Sequence, residues 1–159
     1  MIPKQYIAPY LISNAVSVGL LVAAIVRPRL ALGLFVFVFL AAGLFNTYTV
    51  LTEPEVYWDY EGMAVLKVYK EFIAGFFSQH TKAIVLLIAL GQLCIAALLG
   101  NQTLRRLGAL GGCIFFVAIV PLGVGSAFPC TLLMAAGLVL MEYRRSKVLA
   151  PQSATPNET

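Results

Sequence analysis

The segment TEPEVYWDYEG, residues 52–62, brings Glu53, Glu55, Asp59 and Glu61 close together in a chain with only 11% charged residues. Grouped carboxylates can hold a cation or, by titrating apart, divide the roles of general acid and general base. His80, in SQHTKA, is the single histidine and the proton-transfer partner such a group would use. The same residues also have a plainer reading. A loop on the translocated side of a membrane is free to be acidic, and Tyr48, Tyr57, Trp58 and Tyr60 match an interfacial aromatic belt. His80 would then mark a helix start, with Ser78 or Thr81 near the cap.

A second set is polar without charge. Asn14 lies with Ser13 and Ser17, Asn46 with Thr47 and Thr49, and Gln92 stands alone, all inside apolar runs. Counted from the ends of those runs at 1.5 Å per residue, they fall roughly 8 to 14 Å deep on the same side. Asn14, Asn46, Thr47 and Gln92 could therefore line one polar pocket; the competing role is to join helices by hydrogen bonds across a bundle. Cys94, Cys113 and Cys130 are isolated, without a C-x-x-C pair or a histidine at ligand spacing, so no metal site is expected. Gly108 and Gly112, in GALGG, form a small-xxx-small step that favours close helix approach.

The elements that position these residues follow from composition. At 60% hydrophobic residues over 159 positions the chain departs from soluble domains, and its apolar residues come in long blocks rather than alternating. Helices alone satisfy the backbone of such blocks in lipid without a closed barrel, so the expected fold is an all-α, polytopic membrane helix bundle. Spans are expected at about 7–26, 30–51, 83–99, 107–122 and 124–141. The last two come from a tract of about 35 residues, roughly 52 Å as one helix and too long for one crossing, broken at PLGVGSAFP. A re-entrant hairpin there is equally compatible. Between the second and third spans, apolar Val65, Val68, Tyr69, Phe72, Ile73 and Phe76 stand opposite Lys67, Lys70 and Glu71, which predicts an amphipathic interfacial helix over about 62–77. Residues 1–147 make one membrane domain and 148–159 a disordered tail.

The charges set an orientation. Arg27, Arg29, Arg105, Arg106, Arg144, Arg145 and Lys147 gather at one end, while Glu53, Glu55, Asp59, Glu61 and Glu71 lie at the other. By the positive-inside rule the amino terminus is outside and the carboxy terminus cytoplasmic. The net charge of +4 comes from these span-flanking clusters, which is a topology signal and not a nucleic-acid surface. No charged residue lies within the spans as drawn, which argues against a proton relay or ion pump.

From Arg29 onward, RLALGLFVFVFLAAGLFN (29–46), IALGQLCIAALLGNQTLRRLGALGG (88–112) and FPCTLLMAAGLVLM (128–141) follow in an order that resembles the DoxX-like family of small bacterial membrane proteins. The resemblance implies a four-helix core, to which the span at 7–26 is an N-terminal addition, and a bacterial inner-membrane location. It also implies a non-catalytic subunit or binding protein for a quinone or other lipid-like molecule, working beside a membrane redox enzyme or a second copy of itself. It supplies no catalytic residue. An interfacial enzyme using the acidic loop and His80, and a membrane assembly factor, are the alternative expectations.

Overall fold

The computed structural model describes residues 4–149, which are mostly helical, with no strand among them. The long helices are α1 (Lys4–Val26), α2 (Pro28–Thr52), α5 (Ser78–Gly100), α6 (Arg105–Ile119) and α7 (Cys130–Leu149); two short ones, α3 (Tyr60–Met63) and α4 (Lys67–Phe72), lie between α2 and α5. Four stretches are long and apolar enough to cross a membrane: Ile7–Val26, Pro28–Thr52, Lys67–Gly100 and Arg105–Ser126. Pro28, at the first position of α2, cannot extend α1 and is preset to begin a new helix, so the two form a hairpin with Arg27 between them.

The long helices close into a ring in which α2 packs most extensively on α5, α7 fills the gap between α1 and α6, and α5 neighbours α6. Close approach depends on small residues. A Cβ on Gly43 would lie 2.8 Å from Leu93 Cδ2 and 3.1 Å from the Ala89 carbonyl oxygen, so α2 meets α5 at van der Waals limits. The GALGG step acts as expected: a Cβ on Gly108 would stand 2.7 Å from the Leu99 nitrogen, and one on Gly112 2.7 Å from Leu138 Cδ1. Where lipid replaces water as the outside solvent, such packing holds helices together in place of a hydrophobic driving force.

Two expectations are corrected. The fifth span does not run from 124 to 141. PLGVGSAFP folds as a 3-10 turn (Val120–Ser126) in which Gly123 has φ 60° and Ala127 closes with φ 54°. The helix that follows starts only at Cys130, and its apolar part, 130–141, is about 18 Å long, short of a roughly 30 Å hydrocarbon core. Among the described helices α7 therefore packs beside the four long apolar ones without matching their apolar length.

The interfacial helix at 62–77 is also different. Residues 64–66 are extended between α3 and α4, and α4 continues through a π-helical turn, Ile73–Phe77, directly into α5. The segment is thus the start of the third long stretch, bent at His80, whose φ of −125° and ψ of 22° leave the helical region. Its buried stripe includes Ile73 and Phe77, while Val65, Val68, Phe72 and Phe76 face outward. Lys67 and Glu71 on its polar face pair at 3.4 Å, both exposed. Residues 148–149 belong to α7 rather than to a tail, and the remainder of the expected tail lies outside the described residues.

Candidate functional site

Two separate hydrophobic cores stabilise the bundle. The larger, toward the basic end, includes Phe35, Phe39, Phe116, Leu138 and Met141; the smaller, toward the acidic end, is built from Val50, Tyr57, Ala64, Ile73, Phe77 and Val85. They do not merge. Between them is a cavity of about 600 Å³, walled by Phe39, Phe116 and Met134 on one side and Tyr57, Phe77 and Val85 on the other. That volume falls within the range of roughly 300 to 1,000 Å³ common for small-molecule sites. Ile12, Val16 and Phe37 line the cavity and are also exposed on the helix surfaces, so its wall reaches the lipid-facing side between α1 and α2.

No lining residue is charged. The polar features are few and specific. Asn46 Nδ2 donates to Gln92 Oε1 at 2.8 Å, and the Tyr57 hydroxyl donates to Asn46 Oδ1 at 2.8 Å, forming a relay that runs from the acidic turn through α2 to α5. Gln92 is 4% exposed and lines the cavity, where its Oε1 is the acceptor that ends this relay. Burial pushes the Tyr57 phenol up to about 12, reinforced by the neighbouring Tyr60 and opposed by a hydrogen bond with Thr49, so it remains a proton donor at any physiological pH.

A second polar residue lines the cavity from α7. Thr131, 3% exposed, has a buried Oγ1 with no partner. A threonine in a helix usually donates to the carbonyl four residues back. Here that carbonyl, Ala127, already accepts from Asn14 Nδ2 at 3.1 Å and from the Cys130 nitrogen at 2.9 Å.

The acidic turn forms the roof. Its 3-10 helix, Pro54–Asp59, turns Tyr57 inward, Trp58 Nε1 donates to Thr81 Oγ1 at 3.0 Å, and the Val65 nitrogen donates to the Pro121 carbonyl at 2.9 Å. Tyr60 covers Gly125, where a Cβ would come within 2.6 Å of its ring. The turn is therefore fastened to α2, α5 and the 120–126 turn at once.

The sequence candidates divide accordingly. Asn46 and Gln92 meet in the cavity wall. Asn14 does not line it; its amide donates to the Tyr10 carbonyl within α1 and fastens α1 to the Ala127 carbonyl. Thr47 donates to the Gly43 carbonyl within its own helix. Glu53, Glu55, Asp59 and Glu61 are exposed, and no cluster of metal-ligating side chains occurs among the described residues. His80 is exposed too, stacked 4.4 Å from the Phe76 ring with Nδ1 3.0 Å from the Phe76 carbonyl oxygen, so its ring serves the helix bend. Tyr57 and Thr131 were not among the expected pocket residues. Tyr57 had a signal of its own kind, being an aromatic three residues after Pro54 in a turn beside a span; Thr131 had none. The three cysteines are free.

No protein-family model, curated protein or solved structure matches this chain. A functional reading therefore rests on the chemistry of the cavity itself.

Proposed function

We propose that the chain is a non-catalytic membrane binding protein or subunit that holds a neutral, lipid-like molecule, such as a quinone, in the cavity beneath the acidic turn. The observation that carries this reading is an apolar, uncharged cavity of about 600 Å³ whose few polar wall residues include the hydrogen-bonded amides Asn46 and Gln92 and Thr131, whose hydroxyl is unpaired. A ligand with carbonyl or ether oxygens suits a wall with so few polar groups, and the uncharged wall disfavours a fatty acid or phosphate group at this depth. Access from the bilayer between α1 and α2 suits a molecule that partitions into lipid.

The DoxX-like resemblance points the same way and motivates three further parts of the proposal: a bacterial inner-membrane setting, a basic end facing the cytoplasm, and a membrane redox enzyme as partner. An interfacial enzyme is less well supported, because the carboxylates form no metal-ligating cluster among the described residues and His80 is engaged with its own helix.

The test is purification from native membranes followed by identification of bound small molecules and proteins together. Wild type should retain a neutral lipid-like molecule near one per chain, and Asn46→Leu or Gln92→Leu should lose it while the bundle remains folded. Equal retention in all three proteins, or none in wild type, would sink the proposal.

A further inference from the structure

The basic end of the bundle carries a second arrangement that the cavity does not use. Arg105, at the start of α6, donates from Nε to Glu142 Oε1 on α7 at 2.6 Å, with both side chains largely buried at 12% and 16% exposure. Among the described residues Glu142 is the one carboxylate at this end, and Arg105 occupies it. One turn further along α7, Arg145 has its Nε buried with no acceptor. Arg29, at the start of α2, lies at the same basic end.

A span-flanking arginine ordinarily extends its head group outward to water or lipid phosphate. Arg145 differs, because its Nε is turned inward and hidden, whereas Arg106, Arg144 and Lys147 are exposed and Lys147 rests 4.7 Å from the Tyr143 ring centre. A buried charged donor without an acceptor is destabilising. Burial, then Arg105 and Arg29, push the Arg145 guanidinium below its usual pKa, with Glu142 opposing. Guanidiniums from three helices thus influence one another at an end where Glu142 is the one carboxylate among the described residues.

We propose that Arg29, Arg105 and Arg145 form a binding site for a phosphate group of net negative charge, which accepts from the inward-facing Arg145 and bridges α2, α6 and α7. Guanidinium forks match phosphate oxygens in geometry and charge, and basic recesses between helices at this membrane face suit anionic head groups. The group can come from an anionic phospholipid or from solution. This site is independent of the cavity and of its ligand.

The test uses the full chain, delipidated and reconstituted into nanodiscs of phosphatidylcholine alone, of phosphatidylcholine with phosphatidylglycerol, and of phosphatidylcholine alone with inorganic phosphate at matched ionic strength. Thermal midpoint and lipid retained by native mass spectrometry are read for wild type, Arg145→Gln and, as an exposed control, Arg144→Gln. Wild type and R144Q should gain stability in the phosphatidylglycerol arm, and R145Q should lose most of that gain. An equal gain with inorganic phosphate would assign the source to solution, and a gain restricted to phosphatidylglycerol would assign it to lipid. In phosphatidylcholine alone, R145Q should be at least as stable as wild type, because it removes a buried unmatched charge. The proposal is overturned if R145Q and R144Q respond alike, if wild type responds to neither anion, or if R145Q is the less stable protein in phosphatidylcholine alone. Should R145Q not fold in any arm, that too counts against it.

Discussion

Replacing Tyr57 with phenylalanine removes one oxygen atom from the roof of the cavity and leaves the ring to fill the same space. The lost bond is the 2.8 Å donation to Asn46 Oδ1, in a residue only 6% exposed. A typical net hydrogen bond contributes about 1 kcal/mol, and a buried acceptor left unmatched adds to the loss, so the turn should be weakened by about 1–2 kcal/mol, or roughly 5- to 30-fold in its opening equilibrium. Hydrogen exchange reads this directly. Amides of residues 54–63 should exchange faster by that factor in Tyr57→Phe, while amides of α6 hold their wild-type rates. A change below about twofold at 54–63, or an equal acceleration in α6, would refute the claim that Tyr57 latches the roof. The same phenol makes a pH prediction. Its folded-state pKa of about 12 exceeds the ordinary 10, so its contribution is complete below pH 10 and is lost as pH rises from there toward 12. Exchange at 54–63 should accelerate over that window in wild type, beyond the intrinsic rise, and not in Tyr57→Phe.

Three other outcomes follow from the packing. Gly43→Ala places a methyl 2.8 Å from Leu93 Cδ2 and 3.1 Å from a backbone oxygen, so α2 must shift from α5; ligand retention should fall several-fold because Asn46 and Gln92 no longer meet at 2.8 Å. Gly123→Ala combines a φ of 60° with contacts of 2.8 Å to Val65 and 2.9 Å to the Met63 carbonyl, and should destabilise the bundle by about 1–3 kcal/mol in thermal or denaturant unfolding. Thr131→Val deletes a hydroxyl that no protein group satisfies; the ligand-free protein should be as stable as wild type or more so, while retention of the cavity ligand should drop.

Much of this architecture can be read from residue types. Long apolar blocks, Pro28, and the arginine clusters define the helices and their ends because lipid penalises every unpaired backbone group and every charge. Asn46 and Gln92 stand out for the same reason, being amides in blocks that otherwise lack polar groups. Asn14 gives an identical signal yet serves a different purpose, since only the fold reveals that its partner is the Ala127 carbonyl. The start of α7 could not be read from apolar content, because the left-handed conformations at Gly123 and Ala127 decide it. Tyr57 looks like any belt aromatic until the Pro54–Asp59 turn gives it a direction. Thr131 is hidden most deeply, as its unpaired state depends on two other donors having filled one carbonyl.

The central claim is that the space between the two cores is occupied by a neutral molecule held at Gln92. It is tested most directly by native mass spectrometry of wild type, Gln92→Leu and the cavity-filling Ala42→Phe, each released from the same membranes. One bound neutral molecule per wild-type chain, absent from both folded variants, is the predicted result. An unliganded wild-type chain, or one molecule retained equally by all three proteins, would contradict it.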